Sequence, residues 1–264
     1  MIYYKKKLMC IGSDNMNLKE TRHKNILENI KSHGNVSVNQ LSDELNVAQM
    51  TIRRDLQELE HKGLLVRVHG GAISSHDFYN ELANEDKKQI KREDKTVIGK
   101  KMSTLISEHD TIFIGSGTTN EALFPYIKHM KLDIITNARY IFEQYEPLDN
   151  MNVILIGGRY RKPTGTFVGY FANELLSQLH IDKCFIGVNG IYQHYATTAN
   201  EEEGKANQIV LDQSTHKYLT CDHSKFGTRA FINFYNIHHV DAIITDDLLD
   251  DALLKTYQQY TSIL

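Results

Sequence analysis

Between residues 17 and 63 the apolar positions recur at three- and four-residue spacing, the period of helices packed on one face. Ile26, Leu27 and Ile30 form one stripe, in a segment that Asn17–Glu20 can cap and that ends at His33-Gly34. Leu41 and Leu45 form a second stripe over residues 38–45, behind the capping-box sequence Ser37-Val-Asn-Gln40. Ile52, Leu56 and Leu59 form a third, running to Gly63. Asn46-Val47 leaves room for only a tight turn between the second and third segments, the spacing of a helix-turn-helix. Leu65–His69 then alternates like a strand and closes on Gly70-Gly71. Three helices and a ribbon predict a winged helix-turn-helix.

Beyond residue 109 the pattern changes to short apolar runs alternating with helical stretches. Residues 111–114, 134–135, 153–156, 184–188, 218–221 and 242–244 read as buried strands. Helices are expected near 120–128, 138–146, 170–179, 202–213 and 248–260. Strands alternating with helices imply a mostly parallel sheet covered on both faces, so the fold class is α/β. Between the two patterns, residues 74–108 crowd charges of both signs. An exposed helix from about Asn84 is expected there, with Ile90, Val97, Ile98, Met102 and Leu105 inward. The domain boundaries follow: an extension over 1–16, a winged helix-turn-helix over 17–73, a charged connection over 74–108 and an α/β domain over 109–264.

The third helix carries the first candidate chemistry. Its stripe leaves Gln49, Arg53, Arg54 and Gln57 facing away, side chains suited to phosphates and base edges in the major groove. An Arg-Arg pair on an amphipathic helix can equally be a solvated face, and it is the helix-turn-helix spacing that favours double-stranded DNA as partner. Ser37, Gln49, Thr51, Arg53, Arg54 and Gln57 are the candidate contacts, with Arg67 and His69 on the ribbon. Ala48 stands at the cap of this helix and has no side-chain acceptor to offer it.

Composition narrows the class without changing it. Over 264 residues, 41% are hydrophobic and 24% charged, as in ordinary globular chains. No apolar run approaches membrane-spanning length. The net charge of −3 conceals an asymmetry: residues 1–75 hold eleven Lys or Arg against eight Asp or Glu. A modest local excess suits DNA contact without general stickiness. Cys10, Cys184 and Cys221 are scattered, which fits a reduced cytoplasm with the last two as strand core residues. Thirteen histidines include no ligand motif, so neither a metal nor a cofactor is expected. Lys5-Lys-Lys7 and the residues around it do not fit the fold. Either translation starts at Met16, or the first fifteen residues are a disordered arm, or the lysines touch phosphate.

Nearly every strand of the second domain ends in small or polar residues: Gly115–Thr119, Thr136-Asn137, Gly157-Gly158, Asn189-Gly190 and Asp222–Lys225. In an open parallel sheet these endings share the edge where ligands bind. The loop Ser116-Gly-Thr-Thr119 offers backbone N–H groups, two threonine hydroxyls and a helix start, a seat for one phosphate. It lacks the Lys-Ser/Thr ending of an ATP-binding P-loop. Lys225 could pair with a phosphate or with Asp222.

The sequence resembles the DeoR family of bacterial transcription regulators over roughly residues 17–247. The likeness rests on Arg22, Ile26, Ile30, Ala48, Thr51-Ile-Arg-Arg-Asp-Leu56, Gly63 and His69-Gly-Gly-Ala72, joined to the second pattern in the larger domain. It implies a sensor domain similar to phosphosugar isomerases and a phosphorylated sugar as effector. Carried over by motif, the effector site comprises Ser116, Gly117, Thr118, Thr119, Thr136, Asn137, Gly157, Gly158, Asn189, Gly190, Asp222 and Lys225. Two departures stand out. Many relatives carry an acid at Gly115, and an acid-Ala-x-x-Lys run where this chain has Glu203-Gly-Lys-Ala-Asn207. A glycine at 115 resembles the lactose and tagatose-6-phosphate repressors within the family.

The expected function is therefore a cytoplasmic transcriptional regulator, a repressor of sugar uptake or catabolism. It would bind its operator as a homo-oligomer and be released by the sugar phosphate. An isomerase with a DNA-binding appendage is the alternative. Its chemistry needs a base beside the sugar carbon, for which Glu203 and Asp222 are the candidates, and no lysine stands clearly beside them. A redox or metal sensor would need clustered Cys or His.

Overall fold

In the computed structural model, residues 19–30, 35–62, 64–68, 70–74 and 90–264 are described. Contacts within the chain divide it into two units, Met1–Glu81 and Leu82–Leu264. The basic extension before residue 16, the Asn17 cap, the His33-Gly34 helix end, Gly63, His69 and the start of the charged connection lie outside the described residues.

The smaller unit has three helices: α1 over 19–30, α2 over Val38–Glu44 and α3 over Gln49–His61. Ser37 caps α2, accepting a hydrogen bond from the Gln40 amide at 3.1 Å. The Gln40 side chain turns to Glu44 and leaves the reciprocal half of the capping box unmade. Asn46 takes a left-handed φ of 51° in the turn, a conformation its short side chain tolerates. Strand β1 (Asn35–Ser37) joins β2 (Leu65–Val68) and β3 (Gly71–Ser74) in an antiparallel sheet ordered β1-β3-β2. The ribbon expected from sequence thus gains a third strand.

The three stripes meet in one core. Ile26, Ile30, Leu41, Ile52, Leu56 and Leu59 are all buried. Each such side chain contributes about 1.5–3 kcal/mol of transfer free energy. Beside this apolar contact lies a polar one. Asp55 on α3 is 2% exposed and accepts from Arg22 Nε at 2.5 Å and Arg22 Nη2 at 3.0 Å. His23 Nε2 lies 3.0 Å from the same carboxylate. An exposed pair, Lys19–Glu58, runs alongside at 2.6 Å.

The larger unit is built on a seven-stranded, wholly parallel sheet. Its strands are β4 (Thr111–Ile114), β5 (Leu132–Thr136), β6 (Met151–Leu155), β9 (Ile181–Gly187), β12 (Ser214–Thr220), β14 (Ala242–Ile244) and β15 (Ser262–Ile263). Their order is β15-β14-β12-β9-β4-β5-β6. Alternate residues feed cores on opposite faces: Ile112 and Ile114 pack on one side, Phe113 on the other. The first face holds α4 (Arg92–Ser103), through Ile98 and Met102. The second holds α8 (Tyr170–Leu176) and α9 (Glu201–Gln213), through Leu176, Val210 and Leu211.

Several expectations change. The single helix near 120–128 is two short ones, α5 (Thr118–Glu121) and α6 (Phe124–Ile127), because Pro125 lacks the N–H an unbroken helix would use. The strand expected as buried at 153–156 lies at the sheet edge, where its burial alternates and Ile154 is 41% exposed. Ile90 is exposed, while Lys95 takes a buried place on α4. Short runs not expected from sequence form a hairpin, β7 (Arg159–Arg161) with β8 (Thr166–Val168), and a small antiparallel sheet of β10 (Gly190–Tyr192), β11 (Tyr195–Thr198) and β13 (Ile232–Asn236). The remaining helices are α7 (Arg139–Tyr145) and α10 (Asp251–Tyr257). Among the described residues no helix is long and apolar enough to cross a membrane.

Two outcomes follow. Arg22→Ala leaves the buried Asp55 carboxylate without its fork, and loss of one partner of a buried pair typically costs about 3–5 kcal/mol. Lys19→Ala removes an exposed, solvent-screened pair and should change stability little. Denaturant titration of the head transition should separate the two variants, and equal small losses would refute the anchoring role. Cys184 and Cys221 are both buried and free. Burial pushes the Cys184 thiol up to about 11 and raises that of Cys221 as well. Neither should react with a thiol reagent at pH 8 until the sensor unit unfolds, as mass spectrometry of labelled peptides would show. Prompt labelling of either in the native protein would contradict the packing.

Candidate functional site

One candidate surface lies on α3. At 100° per residue, Ile52, Asp55, Leu56 and Leu59 define the buried face, and Arg53, Arg54 and Gln57 lie exposed away from it. Gln49 is exposed on the flank and Thr51 is half-buried. Ala48 gives the helix no side-chain cap. Ser37 is exposed, with its hydroxyl engaged in capping α2. Arg67 on β2 is exposed, and its backbone N–H donates to Glu60.

The other candidate site lies at the carboxyl edge of the parallel sheet. The chain runs β4-β5-β6 to one side, then returns to place β9, β12 and β14 on the other. The reversal falls between β4 and β9, the switch point beside which open parallel sheets bind ligands. The Gly115–Thr119 loop leaves β4 at this point. Gly117 has φ +128°, which a side chain would disfavour. Its N–H donates to the Tyr140 hydroxyl, so it is not free for a ligand. The amides and hydroxyls of Ser116, Thr118 and Thr119, by contrast, meet no acceptor or donor among the described residues. Since α5 is only one turn long, local amides rather than a macrodipole make the loop attractive to an anion.

Asn120, wholly buried, fixes the loop. Its Nδ2 donates to the Gly115 carbonyl at 3.0 Å and the Phe185 carbonyl at 3.1 Å. Its Oδ1 accepts from Thr220 at 2.7 Å, tying the loop to β9 and β12. Gly99 on α4 approaches just behind: a Cβ there would sit 2.3 Å from the Ala122 carbonyl. Only hydrogen on Cα lets α4 lie directly against the end of α5.

The other residues of the carried-over set divide by what holds them. The Thr136 hydroxyl donates to the Ile114 carbonyl at 2.7 Å and accepts from the Ala138 amide at 3.0 Å. Asn137 clasps β8 by donating to the Phe167 carbonyl at 3.0 Å. Gly157 is exposed with open space around its Cα, and Gly158 lies against the Val168 carbonyl. Asn189 Oδ1 accepts from Thr198 Oγ1 at 3.1 Å and the Ala199 amide at 3.3 Å, holding the hairpin that Gly190 begins. Asp222 pairs with Lys91 at 3.2 Å and accepts from Ser224. Burial pushes its carboxyl up, but Lys225, Ser224 and Lys91 together outweigh burial and hold it below the usual carboxylate range. The Lys225 amide donates to the Asp222 carbonyl at 3.0 Å, and its ammonium draws the Asp222 carboxyl down without forming an ion pair among the described residues. The direct ion pair of Asp222 is with Lys91.

Sequence reading missed three features of this edge. Tyr140 is one. The β7–β8 hairpin is another: Arg159 pairs with Glu202, and Arg161 lies 3.3 Å from the buried Glu203, which also accepts from Thr166 at 2.8 Å. Alternation through Arg159-Tyr-Arg161 and the turn signal Pro163-Thr-Gly165 could have revealed it. The third is a cluster joining the start of α4 to the β12 and β14 loops. His223 Nδ1 lies 2.8 Å from Asp246 and its Nε2 lies 2.8 Å from Lys91 Nζ. Asp94, His223 and Asp246 have metal-ligand chemistry and lie within 4.8 Å of one another. The Lys91 ammonium lies against the ring nitrogen turned away from Asp246 and pairs with Asp222, which ties the cluster into a network of ion pairs.

Comparison with known proteins agrees with this division of the chain. Residues 22–78 match the DeoR-like helix-turn-helix domain and residues 90–247 the DeoR C-terminal sensor domain. A lactose phosphotransferase system repressor of Streptococcus mutans is 37% identical over 93% of this chain and 99% of its own. One of Staphylococcus epidermidis is 39% identical over 88% of this chain and 95% of its own. Solved structures are more distant. A ribose 5-phosphate isomerase A of Methanocaldococcus jannaschii is 15% identical over 55% of each chain, with a TM-score of 0.37. The translation initiation factor eIF-2B of Pyrococcus horikoshii is 12% identical over 86% of this chain and 80% of its own, with a TM-score of 0.42. Two domain matches in tandem and relatives aligned over nearly their whole length leave one conclusion: the chain belongs to the DeoR family of transcription regulators.

Proposed function

We propose that this regulator represses a sugar-uptake operon and is released from its operator by a phosphorylated sugar seated on the Gly115–Thr119 loop. The observation that carries the effector reading is the set of uncommitted amides and hydroxyls of Ser116, Thr118 and Thr119 at the sheet's switch point. The unpaired Lys225 supplies a cation on the same edge. The names of the relatives, lactose phosphotransferase system repressors, support an operon of that kind. A regulator rather than an enzyme is also what the carboxylates favour: Glu203 is held by Arg161 and two threonines, and Asp222 by Lys91 and Ser224. Neither stands ready as a general base.

Release requires that the effector favour one sensor state over another, since equal affinity for both shifts nothing. The contact of Gly99 with Ala122 offers a mechanical route, because α4 touches the end of α5 and follows in sequence the connection from the DNA-binding unit. The regulator acts as a homo-oligomer, because one head reads too few base pairs for genomic specificity and paired half-sites multiply the energy.

Thr118→Asp places a fixed negative charge where the phosphate would sit. It should leave operator affinity intact and weaken release by sugar phosphates at least about 100-fold, well within the Coulomb repulsion of two close anions. Thr119→Asp, at a more exposed position, guards against a folding defect. Fluorescence anisotropy of operator DNA against a panel of sugar phosphates is the measurement. Both variants releasing DNA at the parent's concentrations would place the effector elsewhere. The Arg53→Ala, Arg54→Ala double variant should lose operator binding, with about 1–3 kcal/mol for each base-edge contact removed. Unchanged affinity in that variant would remove α3 from the interface.

A further inference from the structure

The outward face of α3 carries one residue that the charged and amide side chains around it overshadow. Met50 is the second residue of the helix and is 61% exposed. At 100° per residue it lies roughly 160° round the helix from Ile52, close to the middle of the outward face. Arg54, Gln57 and His61 share that line with it, and all are exposed. Gln49, by contrast, lies roughly 60° from Ile52, nearer the buried edge. The head has no packing use for Met50: its core is complete with Ile52, Leu56 and Leu59 on the opposite side.

In a helix-turn-helix the first residues of the second helix are those that reach base edges. Among base edges in the major groove, one group is apolar, the 5-methyl of thymine. A thioether on an unbranched, polarizable stem adapts its shape to such a group. We infer that Met50 is a specificity-determining residue, packing on a thymine methyl within each operator half-site. Arg53 and Arg54 hold phosphates and polar edges, and Met50 distinguishes thymine from the other bases by its methyl group. Burying one methyl-sized group is worth about fourfold in affinity, the conversion of about 0.8 kcal/mol.

The test starts with a randomised duplex library from which the full chain selects its preferred sequence. Each thymine of the selected duplex is then replaced singly by uracil, which removes the methyl and leaves pairing unchanged. Affinity is measured by anisotropy for the parent and for Met50→Ala, a substitution at an exposed position that no packing opposes. At one thymine in each half-site, methyl removal should weaken the parent about fourfold and Met50→Ala by less than twofold. A methyl effect of the same size in both proteins at every thymine overturns the inference. So does a selected half-site without thymine, or a selection that enriches no sequence. In the last case Arg53 and Arg54 fail with Met50, whereas in the first two they keep their contribution.

Discussion

A buried carboxylate anchors the third helix of the smaller unit. Asp55 lies on the inner side of α3, where an unpaired charge would be costly, and the Arg22 fork with His23 meets it from α1. The apolar stripes choose which face of each helix is buried, while hydrophobic burial sets no direction or length for any one contact within that face. A bidentate ion pair has both direction and length. It adds a directed contact between α1 and the buried face of α3, opposite the side on which Met50, Arg53, Arg54 and Gln57 are exposed.

The sensor unit uses the same device with neutral groups. Asn120 is wholly buried, and its amide joins the Gly115–Thr119 loop to two neighbouring strands. Its hydrogen bonds are made with the scaffold, and the amides and hydroxyls of Ser116, Thr118 and Thr119 meet no partner among the described residues. In both units a buried polar residue holds the segment that carries the candidate contacts. Gly99 adds a close backbone contact, bringing α4 against the end of the turn that supports the loop. Lys91, with a left-handed φ of 53°, fastens the entry of that same helix to Asp222 and His223 on the ligand edge.

The chain by itself determined the class of each unit. Helical spacing of Ile26, Ile30, Leu41, Ile52, Leu56 and Leu59 predicted the three-helix head, because a stripe is a local property set by 3.6 residues per turn. Short apolar runs alternating with helices predicted the parallel sheet, and all six expected strands lie in it. The capping role of Ser37, the uncapped start at Ala48 and the glycine-rich loop after the first strand of the sheet were equally local and equally legible.

The tertiary structure decided what no local pattern encodes. Asp55 reads in sequence as one more charge on a helix, and only its partners 32 and 33 residues away make it an anchor. Tyr140 closes the Gly117 amide from another strand–helix unit, so the loop's free donors could not be counted beforehand. Lys91, distant in sequence, forms the direct ion pair with Asp222, a partner no local pattern indicated. The edge position of β6 depends on strand order, which is set by chain crossovers rather than by composition. Local spacing specifies elements and their faces; long-range packing and hydrogen bonding choose partners, and in this protein the partners determine which functional groups remain free.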